Sequence, residues 1–372
     1  MREAAKAGGG LRNVVVGESH ISSIDGRQGI LRYRGILIHD LARHATFEET
    51  AYLLHEGTLP DQAALDAFRA ELVQDRALPP GIREILRCLS RAHPMAALRT
   101  AVSALGALEE GDPPSSSRSV SRRLIAQMAT LVAAIGRVGA GKEPVAPDPS
   151  LGHAANFLYM LTGERPAPSA ERAMDMALVL HADHEFNAST FAARVAASTL
   201  ADVSGAVTAA IATLKGPLHG GANEAVMHTL EEIRSLDAVE SYVKSAFREK
   251  RKVMGFGHAV YKVEDPRATH LKRASRELSQ EMGDPTWYLL TERLEEAVRS
   301  EKDLPPNVDL YSASLYRVLG IPVPLFTPVF AVSRIAGWTA HILEQLQNNR
   351  LIRPESDYRG PTDVPYVPLE KR

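Results

Sequence analysis

Three polar side chains stand where helices should begin or end, and each has the chemistry to move a proton. His219 precedes Gly220-Gly221 just after a Gly216-Pro217 break, His258 follows Gly255-Phe256-Gly257, and Asp309 comes after Pro305-Pro306-Asn307-Val308. Two imidazoles and a carboxylate suit general acid–base catalysis without a metal. Taken singly, each has a plainer explanation: a satisfied buried histidine, a glycine turn, an ordinary helix N-cap. Cations gather nearby. Arg251, Lys252, Lys262 and Arg267 flank the glycine loop, and Asp265-Pro266 reads as a helix start, with an acceptor at the N-cap and proline at the first helical position. The spacing places Arg267 in the first turn, where free amides favour anions. His258, Lys262 and Arg267 therefore suit a substrate bearing carboxylate or phosphate. Gly255 and Gly257 allow backbone conformations closed to other residues and a close approach of main chain to ligand. The bland alternative for Arg251, Lys252 and Lys262 is a solvated face.

A further pair, His181 and His184, follows a helix predicted over Ala170 to Leu180. If that helix persists the two rings share a face, and with Asp183 and Glu185 they resemble a metal site of the phosphohydrolase kind. The chain supplies no obvious further ligand cluster, so no metal is expected. Cys88, the one cysteine, excludes an intrachain disulfide and argues against a cysteine-based zinc site. The stretch Met1 to Gly10 lacks the apolar core of a signal peptide, and no segment reaches the roughly 18 apolar residues of a membrane span. The cytoplasm is the expected compartment. A formal charge of −2 suggests neither nucleic acid nor membrane surface, so attraction for an anion must come from local clusters.

The elements that must position these groups are nearly all helical. Ser23-Ile24-Asp25-Gly26, Gly29 and Leu31 to Gly35 alternate like a short strand pair. Helical stripes follow from Thr46, with loops over Gly111 to Ser119 and Gly139 to Pro149. Small-residue helices over Ala188 to Leu200 and Ser204 to Lys215 should pack closely. Helices are also predicted from near Ala222, over Val239 to Lys252, from Pro266 to about Met282, over Tyr311 to Leu319 and over Thr327 to Leu346, the last holding Arg334. A proline-punctuated tail from Asn349 carries enough apolar residues near Val364 to Leu369 to lie across another surface. The class is all-α. With 372 residues, two domains are expected. Breaks at Gly216-Pro217 and Pro322 to Pro324 suggest a smaller domain, residues 220–323, inserted in a larger one of residues 1–219 and 324–372. Two crossings between them would permit hinge closure.

Four blocks in register carry a resemblance: Gly216-Pro217-Leu218-His219-Gly220-Gly221-Ala222-Asn223, Gly255-Phe256-Gly257-His258 with Asp265-Pro266-Arg267, Asn307-Val308-Asp309, and Phe326-Thr327-Pro328 leading to Arg334. Together with His181-Ala182-Asp183-His184 and Asp363 to Pro368, they resemble the citrate synthase family, in its shorter bacterial and archaeal form. The resemblance implies a multi-helical homodimer of two-domain subunits. It implies condensation of acetyl-CoA with oxaloacetate, then hydrolysis of citryl-CoA, with acetyl-CoA as co-substrate and no permanently bound cofactor. His219, His258 and Asp309 match its catalytic positions, and His184, Arg267 and Arg334 its oxaloacetate-binding ones. Arg353 matches an arginine that reaches the neighbouring subunit's site. Lys262 matches a position used for CoA phosphates, with Arg251, Lys252, Gly255 and Gly257 beside it. Ala259 departs from the arginine of many bacterial members. 2-Methylcitrate synthase, which uses propionyl-CoA, shares every motif. A metal-dependent hydrolase and a non-enzymatic helical scaffold are the alternatives from other classes.

Overall fold

The computed structural model describes residues 10, 11, 14–108 and 116–372. The expectation for Met1 to Gly10 lies outside the described residues as far as residue 9, as does the expected Gly111 to Ser119 loop as far as residue 115. Beyond it, Ser116 accepts the Ser119 N–H and opens helix Ser117–Gly139, so the last three residues of the predicted loop are helical. Among the described residues are sixteen α-helices and one three-stranded antiparallel sheet, so the all-α class with a small N-terminal β element holds.

Strand β1 (Ser22–Asp25) pairs with β2 (Ile30–Tyr33), Ile24 lying opposite Leu31. The turn between them is built by the Asp25 carboxylate, which accepts the N–H groups of Arg27 and Gln28. A third strand, β3 (Ile36–Leu37), adds to the expected pair; its two residues are too few to carry an alternation in the sequence. The meander is tied to the helical body at its end: Tyr33, fully buried, donates its hydroxyl hydrogen to the Asp183 carbonyl at 2.9 Å.

Helix Phe326–Gln347 forms the centre of the core. It is buried on nearly every face and packs against Phe47–Glu56, Ser117–Gly139, Pro168–His181, Ala188–Ser198 and Val203–Leu214. A helix enclosed on all sides needs apolar residues around its circumference and small ones where backbones approach; Ala331, Ser333, Ala336, Gly337 and Ala340 supply the latter. At Gly337 the fit leaves no room for a side chain, because a Cβ there would collide with the Ala182 carbonyl and the Asp183 carboxylate.

Helices Ala222–Ile233, Val239–Arg248, Ala268–Glu281, Thr286–Lys302 and Val308–Val318 pack largely on one another, and meet the rest where Ala268–Glu281 touches Pro168–His181 and where Ala222–Ile233 touches Phe326–Gln347. Thr286–Lys302 escaped sequence reading because its charged face obscures a buried stripe of Tyr288, Thr291, Leu294 and Val298. Val239–Arg248 stops four residues short of Lys252. Lys250 adopts a left-handed φ of 58°, and the Arg251 N–H returns to the Ala246 carbonyl at 2.8 Å, a helix-ending pattern that does not require glycine.

Candidate active site

The glycine loop is held in place by the segment that precedes Asp309. Gly257 N–H donates to the Pro305 carbonyl and Asn307 N–H to the Gly255 carbonyl, both at 2.9 Å, while the Asn307 side-chain amide donates to the Gly257 carbonyl at 2.9 Å. Gly255 and Gly257 have φ values of 90° and 70°, the left-handed region that other residues avoid. They differ in surroundings. A Cβ on Gly255 would press on Leu310 and Val226 at 2.9 Å, whereas Gly257 faces open space. Gly255 therefore serves packing, and Gly257 leaves backbone accessible.

These bonds bring His258 beside the start of Val308–Val318. Asn307, not Asp309, caps that helix, its side-chain oxygen accepting the Asp309 N–H at 3.0 Å. Capping thus does not consume the Asp309 carboxylate, which accepts no hydrogen bond among the described residues. Burial raises its pKa to about 6, against the attraction of Arg267 and Arg334, with Asp265 adding to the rise. A helix N-terminus would lower a carboxylate pKa; here desolvation wins.

The two histidines are each fixed in one tautomer. His258 Nδ1 accepts the N–H groups of Val260 at 3.0 Å and Tyr261 at 3.3 Å, so its hydrogen resides on Nε2. His219 Nε2 accepts the Ser189 N–H at 3.3 Å and lies 2.8 Å from the Ser189 hydroxyl, which leaves the hydrogen on Nδ1. The Ser189 hydroxyl in turn accepts the indole N–H of Trp338 at 3.1 Å. Burial lowers both imidazole pKa values to about 4, aided by Arg334 for His219 and by Arg267 for His258. Burial, Arg267 and His258 likewise hold His184 well below its ordinary value. All three rings are neutral near physiological pH, and so act as hydrogen-bond donors rather than cations.

Positive charge in the site comes from arginine. Arg334 is buried, donates Nε–H to the His181 carbonyl at 2.7 Å and lies over the Phe330 ring at 4.5 Å. Burial lowers its pKa to about 10, which still leaves it charged, and its two Nη groups have no hydrogen-bond partner among the described residues. A buried guanidinium of this kind suits a carboxylate ligand. Arg267 differs: Nε and Nη2 grip both oxygens of Asp265 at 2.9 and 2.7 Å, leaving Nη1 uncommitted among the described residues. Burial opposes its charge, but Asp265 carries its pKa above the ordinary arginine value.

The predicted helix start at Asp265-Pro266 is therefore corrected. The Asp265 carboxylate accepts the Arg267 N–H at 3.0 Å and the Val308 N–H at 3.3 Å instead of capping, and the helix begins at Ala268 with Arg267 as its uncapped N-cap. The helical pairing of His181 with His184 also fails, because the helix ends at His181. The Gly337 N–H takes the Ala182 carbonyl and the Tyr33 hydroxyl takes the Asp183 N–H, both at 3.1 Å, so tertiary partners occupy groups that a continued helix would use. His181 turns to the Ala177 carbonyl and the Phe330 ring, His184 to Tyr261. Among the described residues no group of three or more His, Cys, Asp or Glu side chains is arranged to hold a metal ion.

The remaining candidates lie outside this cluster. Lys262 is exposed, although its N–H is fixed to the Gly26 carbonyl at 2.7 Å. Arg251 pairs with Glu249 at 2.8 Å and stacks on Tyr242, and Lys252 is exposed. Arg353 is exposed on the extended tail, beyond the last bonds that tie it to the body, those of Asn349 and Ile352 with Ser198. Residues given no individual role by the sequence include Ser189, Trp338, Tyr261 and the cap Asn307. Asn187, which accepts the Thr190 N–H and starts the helix holding Ser189, is the one N-cap signal that pointed to part of this group.

A family model described as "Citrate synthase, C-terminal domain" matches residues 10–355. The chain belongs to the citrate synthase family. Citrate synthase 2 of Bacillus subtilis is 50% identical over 98% of both chains, and a 2-methylcitrate synthase of Shewanella oneidensis is 41% identical over the whole of both. A citrate synthase of Thermoplasma acidophilum, solved as a ternary complex with carboxymethyl coenzyme A and oxaloacetate, superposes with a TM-score of 0.92 at 35% identity, covering 98% of each chain. These relatives share the whole length of the chain, so the match is not confined to the motifs.

Proposed function

We propose that this member of the family condenses acetyl-CoA with oxaloacetate and hydrolyses the resulting citryl-CoA to citrate and CoA. The observation that carries the reading is the Asp309 carboxylate, without a hydrogen bond among the described residues and raised to about 6 by burial, in a site with two neutral histidines whose hydrogens are fixed by backbone donors. A thioester methyl is a very weak acid, so its base needs help at the carbonyl oxygen. Asp309 takes the proton while His219 Nδ1–H stabilises charge on the thioester oxygen. The enol carbon then attacks the keto carbonyl of oxaloacetate. His258 Nε2–H polarises that carbonyl and supplies the hydrogen to the developing alkoxide. Arg334, Arg267 and His184 hold the oxaloacetate carboxylates, Arg334 through both free Nη groups. Water finally attacks the citryl thioester, its proton restoring the hydrogen on His258 Nε2, and CoA leaves as the thiol on taking the proton held by Asp309.

Around this centre, residues 220–323 form a small domain that closes over substrate against residues 1–219 and 324–372. Lys262 meets the CoA phosphates, with Arg251, Lys252 and the open backbone at Gly257 in support, and Gly255 shapes the loop. The chain works as a homodimer in the cytoplasm, its exposed tail crossing the partner so that Arg353 enters the neighbouring site. Exposed Tyr358, Val364, Tyr366 and Leu369 on that tail support the idea, since each stays largely exposed within one chain.

Comparison of kcat/KM for acetyl-CoA and propionyl-CoA, each with oxaloacetate, tests the assignment. One methylene in an apolar pocket is worth roughly 10- to 200-fold, and the expected preference is for acetyl-CoA. A preference for propionyl-CoA would make the product 2-methylcitrate.

A further inference from the structure

We propose that Tyr261 is a positioning residue for both imidazoles on the oxaloacetate side of the cleft. Its peptide N–H, together with that of Val260, fixes the tautomer of His258, and its hydroxyl holds the ring of His184. The inference rests on the reading of those two histidines given above. The three rings form one cluster: centroids lie 4.7 Å apart for His258 and Tyr261, 5.6 Å for His184 and Tyr261, and 5.2 Å for the two histidines. Tyr261 Oη sits 3.2 Å from His184 Nε2, its one hydrogen-bond partner in the described residues. The phenol is 3% exposed, and burial pushes its pKa up, so it keeps its hydrogen at any working pH.

The chain on either side of Tyr261 is braced. Lys262 N–H donates to the Gly26 carbonyl at 2.7 Å, and Gly26 lies so close to the Val260 carbonyl that a Cβ there would collide with it. Gly29 similarly approaches Val263, with 2.8 Å between a built Cβ and its Cγ2. The hairpin turn thus clamps residues 260–263, and Tyr261 passes that rigidity to two rings that themselves come from different segments. The β1 strand completes the brace by holding the His184 segment, its Ile24 N–H donating to the Glu185 carboxylate at 2.7 Å. Phenylalanine would fill the same space between the rings but would leave His184 Nε2 without its partner.

The test is Tyr261→Phe, read by calorimetric titration with oxaloacetate and by steady-state kinetics. Kd and KM for oxaloacetate should rise about three- to tenfold, the range for one neutral hydrogen bond. Turnover and KM for acetyl-CoA should stay within about twofold, because the peptide N–H that orients His258 remains. If the hydroxyl acts through His184, the double variant with His184→Ala binds oxaloacetate as weakly as His184→Ala alone. Unchanged oxaloacetate affinity in Tyr261→Phe, or additive losses in the double variant, overturns the inference. Ring-nitrogen NMR of the wild type gives a readout free of any folding defect: a hydrogen on His258 Nδ1 in place of Nε2 also overturns it. A wild type that makes no citrate in the same assay overturns the functional reading beneath, whereas citrate synthesis beside an unaltered variant overturns this inference alone.

Discussion

Replacing Asp309 by asparagine should make the protein more stable and almost inactive, and the gain should depend on pH. Burial moves this carboxyl from 3.8 to about 6. The shift of roughly 2 units, at about 1.4 kcal/mol per unit, means that the ionised form costs the fold about 3 kcal/mol. The sign follows from linkage: a carboxyl raised in the folded state weakens stability as pH climbs from the unfolded value toward the folded one, and the penalty is complete above the latter. Asparagine keeps the shape and removes the charge. Chemical denaturation at about pH 8 should therefore show the variant ahead by 1–3 kcal/mol, the lower figure allowing for partial exposure of the side chain, and at about pH 5 the lead should be roughly halved. In the wild type the same titration gives kcat/KM for acetyl-CoA an acid limb near pH 6. Loss of the base costs about 10²- to 10⁴-fold in turnover. A variant that is no more stable at either pH, or one that turns over at the wild-type rate, would refute the reasoning.

Other substitutions report on other parts of the site. Arg334→Leu removes the two free Nη groups, each charge-assisted bond being worth about 1.5–3 kcal/mol; KM for oxaloacetate should rise at least about 10-fold while KM for acetyl-CoA holds, and equal increases in both would speak against a carboxylate role. Gly337→Ala forces a methyl group against the Ala182 carbonyl and the Asp183 carboxylate, both in closer contact with that Cβ position than van der Waals radii allow. The expected loss is about 1–3 kcal/mol in chemical denaturation, and an unaltered midpoint would show the contact to be looser than described. Arg353→Ala subunits mixed with Asp309→Ala subunits should recover part of the wild-type activity in hybrid dimers; no recovery would place Arg353 outside the neighbouring site.

Much of this architecture is readable from residues alone because punctuation and chemistry coincide. Gly255, Gly257, Gly216-Pro217 and Pro305-Pro306 mark joints, and the reactive groups sit on them. What eluded reading is what tertiary structure decides. Asp265 has the sequence position of a cap, but a buried arginine two residues on makes a stronger claim on its carboxylate. His181 and His184 fit one helical face by spacing, yet Tyr33 and Gly337 intercept the backbone between them. The orientation of His219 depends on Ser189 and Trp338, distant in sequence and without a local pattern linking them. Helix Thr286–Lys302 buries only a stripe beneath abundant charge, so its periodicity is faint.

Release of CoA from acetyl-CoA, followed with a thiol reagent in a chelator-containing buffer with and without oxaloacetate, tests the central claim most directly. The account predicts release that requires oxaloacetate, persists in the chelator and falls by at least about 10² in Asp309→Asn. Release without oxaloacetate, or an Asp309→Asn variant as fast as wild type, would contradict it.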